Sequence, residues 1–444
     1  MIKKVLIVNR GEIAIRIMRA CREMGIATVA VYSDVDKDSL FVGMADESVC
    51  IGPAIATKSY LHVPAILCAA EQKDVDAIHP GYGFLAENAR FAEICEKCNI
   101  NFIGPDSSTI DLLGSKDKSR VKAAELNVPL SPGSKGILKN VKEAVTVAKK
   151  IGYPVMLKAS AGGGGRGIRV VREEKELENA LITIQEEAAA AFGSRDVFME
   201  RFFEEPKHYE VQILGDGKGK AIHIGDRDCS VQRRNQKVIE EGNAPSISDA
   251  SREKARADAI RLVEALNYKG AGTVEFILDG DDYFFLEVNT RIQVEHSVSE
   301  EISGIDLIRK QIEIASGDVE LNQEDVKFSG HALECRVNAE DPVNFMPSAG
   351  TITKWIQPGG LGVRIDSGFA QGYKVLPNYD SLVAKVITKG DTREIAINRM
   401  KSALREFVIE GIKTNIPLHL KVLEHPKFLD GSYTTKLLSE MLKK

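Results

Sequence analysis

The sequence predicts an α/β protein of two or three packed units, with a parallel, helix-covered sheet at its amino end and an α+β centre. Three observations predict this class. Short apolar runs alternate with amphipathic helical periods at the start of the chain, which is the pattern of β-α-β units. Residues 208–300 instead read mostly as strands and turns. The length of 444 residues exceeds what one simple core accommodates.

The first unit is predicted to end near residue 113. Its opening strand is the apolar run VLIVN, and a helix follows in which apolar residues recur at three- and four-residue steps until Gly25 closes it. A second strand comes directly after this helix, so the two strands should be parallel. The predicted elements are strand 4–8, a helix with Ile13, Ile17, Ala20, Cys21 and Met24 on one face, strand 26–32, helix 59–72, an apolar segment ending in 77–84, helix 86–98 and strand 101–104.

Two further units, 114–330 and 331–444, are predicted after it. The second unit begins with helices and a Pro/Gly/Ser-rich link, and it continues as strands. The third unit mixes short strands with one clear helix and ends in a polar segment. The predicted elements are a helix bearing Lys116 and Lys118, the link 129–136, helix 140–151, a hairpin of 155–158 with 168–171, helix 174–191, strand 197–200, helix 249–267 and helix 392–406.

Composition excludes several classes of protein. Acidic residues outnumber basic ones 64 to 59, without a basic stripe, which argues against nucleic-acid binding. No run of about 18 apolar residues suggests a membrane span, and the amino-terminal apolar run is too short for a signal peptide. The 7 scattered cysteines indicate reduced thiols and a cytoplasmic protein. Cys95 and Cys98 form a single CxxC, which we interpret as two ordinary cysteines on a helix.

A glycine-rich loop lies in the second unit. Gly162, Gly164 and Gly167 satisfy GxGxxG, but strands flank the loop on both sides, whereas a dinucleotide turn needs a helix after it. The loop is therefore predicted to be the tip of a hairpin. Its consecutive glycines, Gly162, Gly163, Gly164 and Gly165, could fold backbone N–H groups over phosphates, with Lys158 on the preceding strand. A flexible surface hairpin is the alternative.

A second motif is the hairpin 272–296. Glu275 and Glu287 interrupt its apolar strands and should lie opposite each other, where two carboxylates need a compensating cation. Asn289 shares the strand face of Glu287, and such oxygen ligands suit Mg²⁺ shared with a nucleotide. The alternative is that both carboxylates lie on a solvent-exposed face of the sheet. It is disfavoured because every alternate residue from Glu287 to Glu295 is polar, which is typical of a strand that displays ligands.

A third motif is the charged segment 226–241. A solvated strand usually explains such a run. Beside a phosphate site, however, its cations favour an anion-binding role. They are Arg227, Arg233, Arg234 and Lys237, and they are accompanied by Glu240 and Glu241.

These stretches together resemble the biotin carboxylase component of biotin-dependent carboxylases, over essentially the whole chain. The resemblance is carried by NRGEIAIRIMRA, AIHPGYGFLAEN, FIGP, KASAGGGGRGIRVV, GDRDCSVQRRNQKV, EVNTRIQVEH and HALECRVNAEDP. It implies a Rossmann-like amino-terminal domain, a central ATP-grasp domain with a mobile lid over about 131–203, and a mixed α/β carboxyl-terminal domain. The sequence departs from the family at Asn235, where His is frequent, and at EEGNAP (240–245).

The resemblance also implies a set of site residues. Those assigned to ATP are Lys116, Lys158, Gly162 to Gly165, Glu200, His208, Gln232, Asn235, Glu275 and Glu287, with Glu200 and His208 bordering adenine and ribose. Those assigned to the metal, Mg²⁺ or alternatively Mn²⁺, are Glu275, Glu287 and Asn289. Those assigned to bicarbonate and biotin are Lys237, Arg291, Gln293, Val294, Arg336 and Tyr82. The residues expected to be catalytic are Glu295, Lys237, Arg291 and Arg336.

The implied reaction is the ATP- and bicarbonate-dependent carboxylation of biotin through carboxyphosphate. Glu295 would take the proton from bicarbonate, and Arg336 would stabilise the biotin enolate. No biotinylation motif is present, so we expect a separate biotin carboxyl carrier protein, separate carboxyltransferase subunits and a homodimer. The complete enzyme would be one such as acetyl-CoA carboxylase, in fatty acid biosynthesis, or alternatively a pyruvate or other acyl-CoA carboxylase. Another ATP-grasp ligase, a nucleotide sensor and an NAD-linked dehydrogenase are the less favoured functions.

Overall fold

The structure is a computed structural model that describes residues 2–160, 167–245, 247–317 and 319–442. The glycines predicted to bind phosphate, Gly162 to Gly165, lie outside the described residues. Within the described part of the chain, no helix combines the length and the apolar character needed to cross a bilayer.

The amino-terminal segment forms a parallel sheet of five strands in the order β3-β2-β1-β4-β5, as predicted. Residues of β1 alternate between two cores: Val5 and Ile7 join one, and Leu6 joins the other. Helices therefore cover both faces of the sheet. The elements are β1 Lys4–Ile7, α1 Gly11–Glu23, β2 Ala27–Ser33, α2 Leu40–Met44, β3 Glu47–Gly52, α3 Val63–Gln72, β4 Ala77–His79, α4 Ala89–Lys97, β5 Asn101–Phe102 and α5 Ser107–Gly114.

Two of these helices begin later than the apolar periodicity suggests. Helix α4 begins at Ala89 because the Asn88 side chain accepts a hydrogen bond from the Phe91 N–H and caps the helix. Helix α3 begins at Val63, after His62 caps it and with a proline in its first turn. Tyr60, Leu85 and Ala86, which precede these caps, are buried in non-helical backbone.

The next segment contains a small three-stranded antiparallel sheet of order β7-β6-β8. Both flanks of the glycine loop are strands, as predicted. Helices α7 and α8 contribute to a core whose buried members all come from residues 138–199. This segment therefore has a core of its own. The elements are α6 Lys116–Glu125, α7 Val141–Ile151, β6 Val155–Ala159, β7 Ile168–Val171, α8 Glu174–Phe192 and β8 Val197–Arg201.

A sheet of eight strands forms most of the remaining chain, in the order β13-β12-β9-β10-β11-β14-β19-β17. It crosses the predicted boundary at residue 330, because β11 pairs with β14. The elements are β9 Lys207–Asp216, β10 Ala221–Arg233, β11 Gln236–Gly242, α9 Asp249–Glu264, β12 Lys269–Asp279, β13 Asp282–Asn289, α10 His296–Ser303, α11 Leu307–Ser316, β14 His331–Asn338, β15 Gly350–Thr351, β16 Lys354–Ile356, β17 Val363–Ser367, β18 Lys374–Val375, β19 Leu382–Gly390, α12 Arg393–Glu406, β20 Val408–Glu410, α13 Ile416–Leu423, α14 Pro426–Leu429 and α15 Leu437–Met441.

The strand predicted to continue to Glu295 ends earlier. Strand β13 ends at Asn289, and α10 begins at His296. The Thr290 N–H donates to Glu87 of the amino-terminal segment, which draws the chain out of the sheet. The alternating polar residues after Asn289 therefore lie in a loop, and the prediction of a continuous strand was wrong.

Candidate active site

The two carboxylates of the β12–β13 hairpin lie opposite each other, as predicted. Glu275 is the cross-strand partner of Glu287, and Asn289 follows two residues later on β13. The Asn289 side-chain amide donates to Glu275 Oε1 over 2.7 Å. Lys116, at the start of α6, places its Nζ 3.6 Å from Glu287 Oε2. The predicted metal ligands are thus adjacent to one another.

This hairpin fits an oxygen-ligated divalent cation. Burial and the facing Glu275 carboxylate raise the pKa of Glu287, as expected when two like charges share a site. A cation between them would relieve that repulsion. Two other groups bring three possible ligands within 4.8 Å of one another: His208, Glu210 and Glu275, and Glu210, Cys229 and Glu295. Each of these two groups includes a nitrogen or a sulfur ligand. Mg²⁺ prefers oxygen ligands, which Glu275, Glu287 and Asn289 provide.

Lys237 lies at the centre of a cluster of three carboxylates, Glu210, Glu275 and Glu295. Its Nζ lies 3.0 Å from Glu275 Oε1 and 2.7 Å from Glu295 Oε1, and it also contacts Glu210. Burial alone would disfavour the ammonium, but these carboxylates raise the pKa of Lys237 well above its usual range. Lys237 is therefore charged and neutralises part of the cluster.

Glu295 lies between two cations. Besides the contact with Lys237, its Oε2 accepts a hydrogen bond of 2.9 Å from Arg336 Nη2. The side chain is only 2% exposed. Burial opposes ionisation, yet Lys237 and Arg336 lower the pKa of Glu295 to about 2. The site therefore contains a buried, ionised carboxylate. Its two hydrogen-bond donors, Lys237 and Arg336, could instead donate to a bound anion.

The loop between β13 and α10 carries the other residues predicted to hold bicarbonate. Arg291 Nε donates 2.9 Å to Glu87, and its Nη2 donates 3.2 Å to Asn289. The Gln293 amide donates 2.9 Å to Glu275 Oε1. The Val294 carbonyl accepts 2.8 Å from the buried Lys385. The loop thus joins the metal-side hairpin to the cluster around Lys237.

The residues predicted to bind the nucleotide lie in two groups. Glu200 on β8 is paired with Lys158 on β6 and with Arg120 on α6. His208 lies elsewhere, with Nε2 2.9 Å from Glu210 and 3.1 Å from Glu275. Burial disfavours its charge, but Glu275 and Glu210 raise the pKa of His208 to about 9. The structure therefore places His208 with the metal-side carboxylates rather than with Glu200.

Three further residues predicted to bind substrate have the following positions. The Gln232 amide donates 2.8 Å to the Cys229 carbonyl on the same strand. Asn235 is exposed at the tip of the β10–β11 hairpin, with a φ of 64° that asparagine tolerates in such turns. The Tyr82 hydroxyl donates to Glu12.

The four cations of the segment 226–241 do not form one cluster, although Arg227 and Lys237 both contact Glu210. Arg227 is completely buried and donates to Glu210 beneath the site. Arg233 pairs with Glu340 at 3.1 Å, and Arg234 is exposed at the hairpin tip. Two register shifts in the pairing of β10 with β11, between Asp228 and Gln232, break the regular alternation of side chains along this segment. Of the four cations in that segment, only Lys237 contacts Glu295 among the described residues.

Sequence reasoning missed several residues of the site. Glu210 contacts Lys237, Arg227 and His208, and it is completely buried. Its signal was present, because His208, Glu210 and Gln212 are polar at alternate positions of an otherwise apolar strand. Glu87 and Arg120 gave no local signal, since their partners are far away in the sequence.

Comparisons with known proteins identify a family. Residues 1–110 match the biotin carboxylase N-terminal domain, 115–323 the ATP-binding domain of the carbamoyl-phosphate synthase L chain, and 334–440 the biotin carboxylase C-terminal domain. Biotin carboxylase 1 of Bacillus subtilis is 56% identical over 442 residues, covering 99% of this chain and 98% of that protein.

Two solved structures are also similar. The biotin carboxylase of Campylobacter jejuni, in a β-γ-ATP complex, superimposes with a TM-score of 0.96 at 48% identity over 99% of both chains. The biotin carboxylase domain dimer of Hydrogenobacter thermophilus 2-oxoglutarate carboxylase, with MgADP, ADP and bicarbonate, gives 0.93 at 47% identity, covering 99% of this chain and 98% of that one. The chain therefore belongs to the biotin carboxylase family of ATP-grasp ligases, which use ATP, Mg²⁺ and bicarbonate to carboxylate biotin.

Proposed function

We propose that this chain carboxylates the biotin of a separate carrier protein, as the first half-reaction of a multi-subunit carboxylase such as acetyl-CoA carboxylase. The observation that carries the proposal is the position of Glu295 between Lys237 and Arg336. The test is release of phosphate from ATP that requires both bicarbonate and biotin. Phosphate release independent of both would indicate a different ATP-grasp reaction.

In the first step, Glu295 takes the proton from bicarbonate, whose oxygen attacks the γ-phosphate and displaces ADP to give carboxyphosphate. Bound bicarbonate would draw Lys237 and Arg291 toward its own charge. Since Lys237 lowers the pKa of Glu295, this shift makes Glu295 a stronger base when substrate is present. Gln293 and the Val294 backbone, on the same loop, orient the anion.

In the second step, carboxyphosphate breaks down to CO₂ and phosphate, and the phosphate removes the proton from the biotin ureido nitrogen. The nitrogen then attacks CO₂. Arg336 turns from Glu295 to the enolate oxygen of biotin and stabilises it through charge-assisted hydrogen bonds. Tyr82 would contact biotin near Arg336.

The nucleotide lies between Lys116, Lys158 and the β12–β13 hairpin. Glu275, Glu287 and Asn289 would hold Mg²⁺, which supplies charge neutralisation for the transferring phosphoryl group. Lys158 leaves its pairing with Glu200 to contact phosphate oxygens. Glu200 then remains with Arg120 at the edge of the adenine site. Gln232 and Asn235 are the remaining residues assigned to ATP.

Glu287→Gln should lower ATP cleavage at least about thirty-fold, because it removes one of two carboxylates that balance a divalent cation. The fold should remain intact, since the charge lost is one of a repelling pair. Phosphate release measured across a Mg²⁺ titration is the readout, and Asp282→Asn at the exposed turn of the same hairpin is the control. Normal turnover by Glu287→Gln at low Mg²⁺ would refute the metal assignment.

We also propose domain boundaries at 113/114 and 330/331 and a lid over about 131–203. The separate core of residues 138–199 supports a unit that moves as one body.

Amides over 160–168 should become protected from hydrogen exchange when a non-hydrolysable ATP analogue binds. Replacing Gly164 and Gly165 by Ala should slow turnover and largely spare adenine binding near Glu200. Exchange that nucleotide leaves unchanged would contradict the lid.

The proposed partners are a biotin carboxyl carrier protein, carboxyltransferase subunits and a second copy of the chain. The dimer would form through the amino- and carboxyl-terminal domains and leave the lid free. Sedimentation at micromolar concentration should show a dimer, and a monomer there would count against it. Co-purification of the carboxyltransferase would identify the final acceptor of the carboxyl group. The candidates are acetyl-CoA, another acyl-CoA and pyruvate.

A further inference from the structure

Two buried carboxylates lie beside Arg336 that no step above uses. Glu240 on β11 is the cross-strand partner of Glu334 on β14, and both side chains are completely buried. Directly opposed residues on neighbouring strands have Cβ atoms about 5 Å apart. Glu334 accepts a hydrogen bond from the Ser297 hydroxyl on α10. A buried pair of like charges is costly unless something compensates it.

Arg336 contacts carboxylates on two sides. Its Nη2 donates to Glu295, and its Nε lies 2.6 Å from Glu240 Oε1. The Nε contact is close, but its angles do not form a hydrogen bond. Within the described part of the chain, neither Glu240 oxygen has a hydrogen-bond donor in suitable geometry. Glu240 therefore lies against Arg336 without a hydrogen bond that fixes the orientation of the guanidinium.

The surroundings favour protonation of the pair near neutral pH. The charged groups that face it are Arg336 on β14, Lys237 on β11, Lys385 on β19 and Glu295 before α10. Burial raises the pKa of Glu240 to about 8, against the opposing effect of Arg336 and with a contribution from Glu334. Burial also raises the pKa of Glu334 to about 7. The two groups titrate together near neutral pH.

We propose that Glu240 and Glu334 are a coupled pair of buried carboxyl groups that positions Arg336. Glu240 holds the Nε edge of the guanidinium while Nη2 exchanges between Glu295 and the carbonyl oxygen of biotin. Without Glu240, Glu295 would be the nearer anion and would retain Arg336. The inference rests on the proposed contact of Arg336 with biotin.

The experiment compares Glu240→Gln and Glu334→Gln with the wild-type protein, with free biotin as substrate. Glu240→Gln should lower kcat/KM for biotin about tenfold, while ATP cleavage with bicarbonate alone changes less than threefold. The pH profile of kcat/KM for biotin reports ionisations of the free enzyme. The wild-type profile should contain one between about pH 7 and 8. Both Gln variants should lose it, and Glu240→Asp should restore it.

An unchanged kcat/KM and pH profile in Glu240→Gln would overturn the proposal. Equal losses of both activities in a folded variant would also overturn it, because they indicate a structural role only. If Glu240→Gln does not fold, Glu334→Gln decides: loss of the ionisation supports the pair and its retention refutes it. Wild-type protein that cleaves ATP without responding to biotin would instead refute the proposed function.

Discussion

Glu295→Gln should reduce bicarbonate-dependent ATP cleavage by about 10²- to 10⁴-fold, the usual contribution of a general base. The amide cannot accept the bicarbonate proton. It also removes the charge that pairs with Lys237 and Arg336, so both cations lose a partner at 2.7 and 2.9 Å. Binding of ATP should change little, because Glu295 contacts neither Lys158 nor Lys116 among the described residues.

Phosphate release with saturating ATP and bicarbonate measures this effect, and nucleotide binding by calorimetry separates it from loss of the ATP site. Glu324→Gln, at an exposed position, is the matched control for the same chemical change. Near-normal phosphate release by Glu295→Gln would mean that another group accepts the proton. Since Glu210 also contacts Lys237, it would be the first residue to test next.

Local pattern predicted the fold well where each element follows from its own residues. The β-α-β start and the strands beside the glycine loop are examples, because apolar periodicity and caps are short-range signals. The pairing of β11 with β14 could not be predicted, since it joins segments about ninety residues apart. That pairing brings Arg336 next to Glu240 and Glu295.

Part of the site was also predictable, because it depends on residues that are close in the sequence. Glu275 and Glu287 lie close together because a tight hairpin joins their strands, but the pairing of the two depends on a bulge between Glu275 and Phe276. The segment after Asn289 was misread because a polar alternation is typical of a strand but does not require one. Its conformation depends on Glu87, which comes from the amino-terminal segment. Long-range contacts of this kind leave no local pattern.

Arg336→Ala should uncouple the two half-reactions. Carboxylation of biotin should fall by about 10²- to 10³-fold, the cost of removing one donor to a developing oxyanion. Cleavage of ATP with bicarbonate should persist, because the proposed contact of Arg336 is with biotin. Carboxybiotin formation and phosphate release, measured in the same reaction, give the ratio directly.

The pH dependence of the residual ATP cleavage provides an independent test. Arg336 is one of the cations that lower the pKa of Glu295, so its removal raises that pKa. Because the first step needs ionised Glu295, ATP cleavage by Arg336→Ala should be lost at a higher pH than in the wild type as the solution is acidified. Arg336→Lys, which retains a charge, should show a smaller shift. Equal loss of carboxylation and ATP cleavage at every pH would place Arg336 in the first step instead, as a partner of bicarbonate.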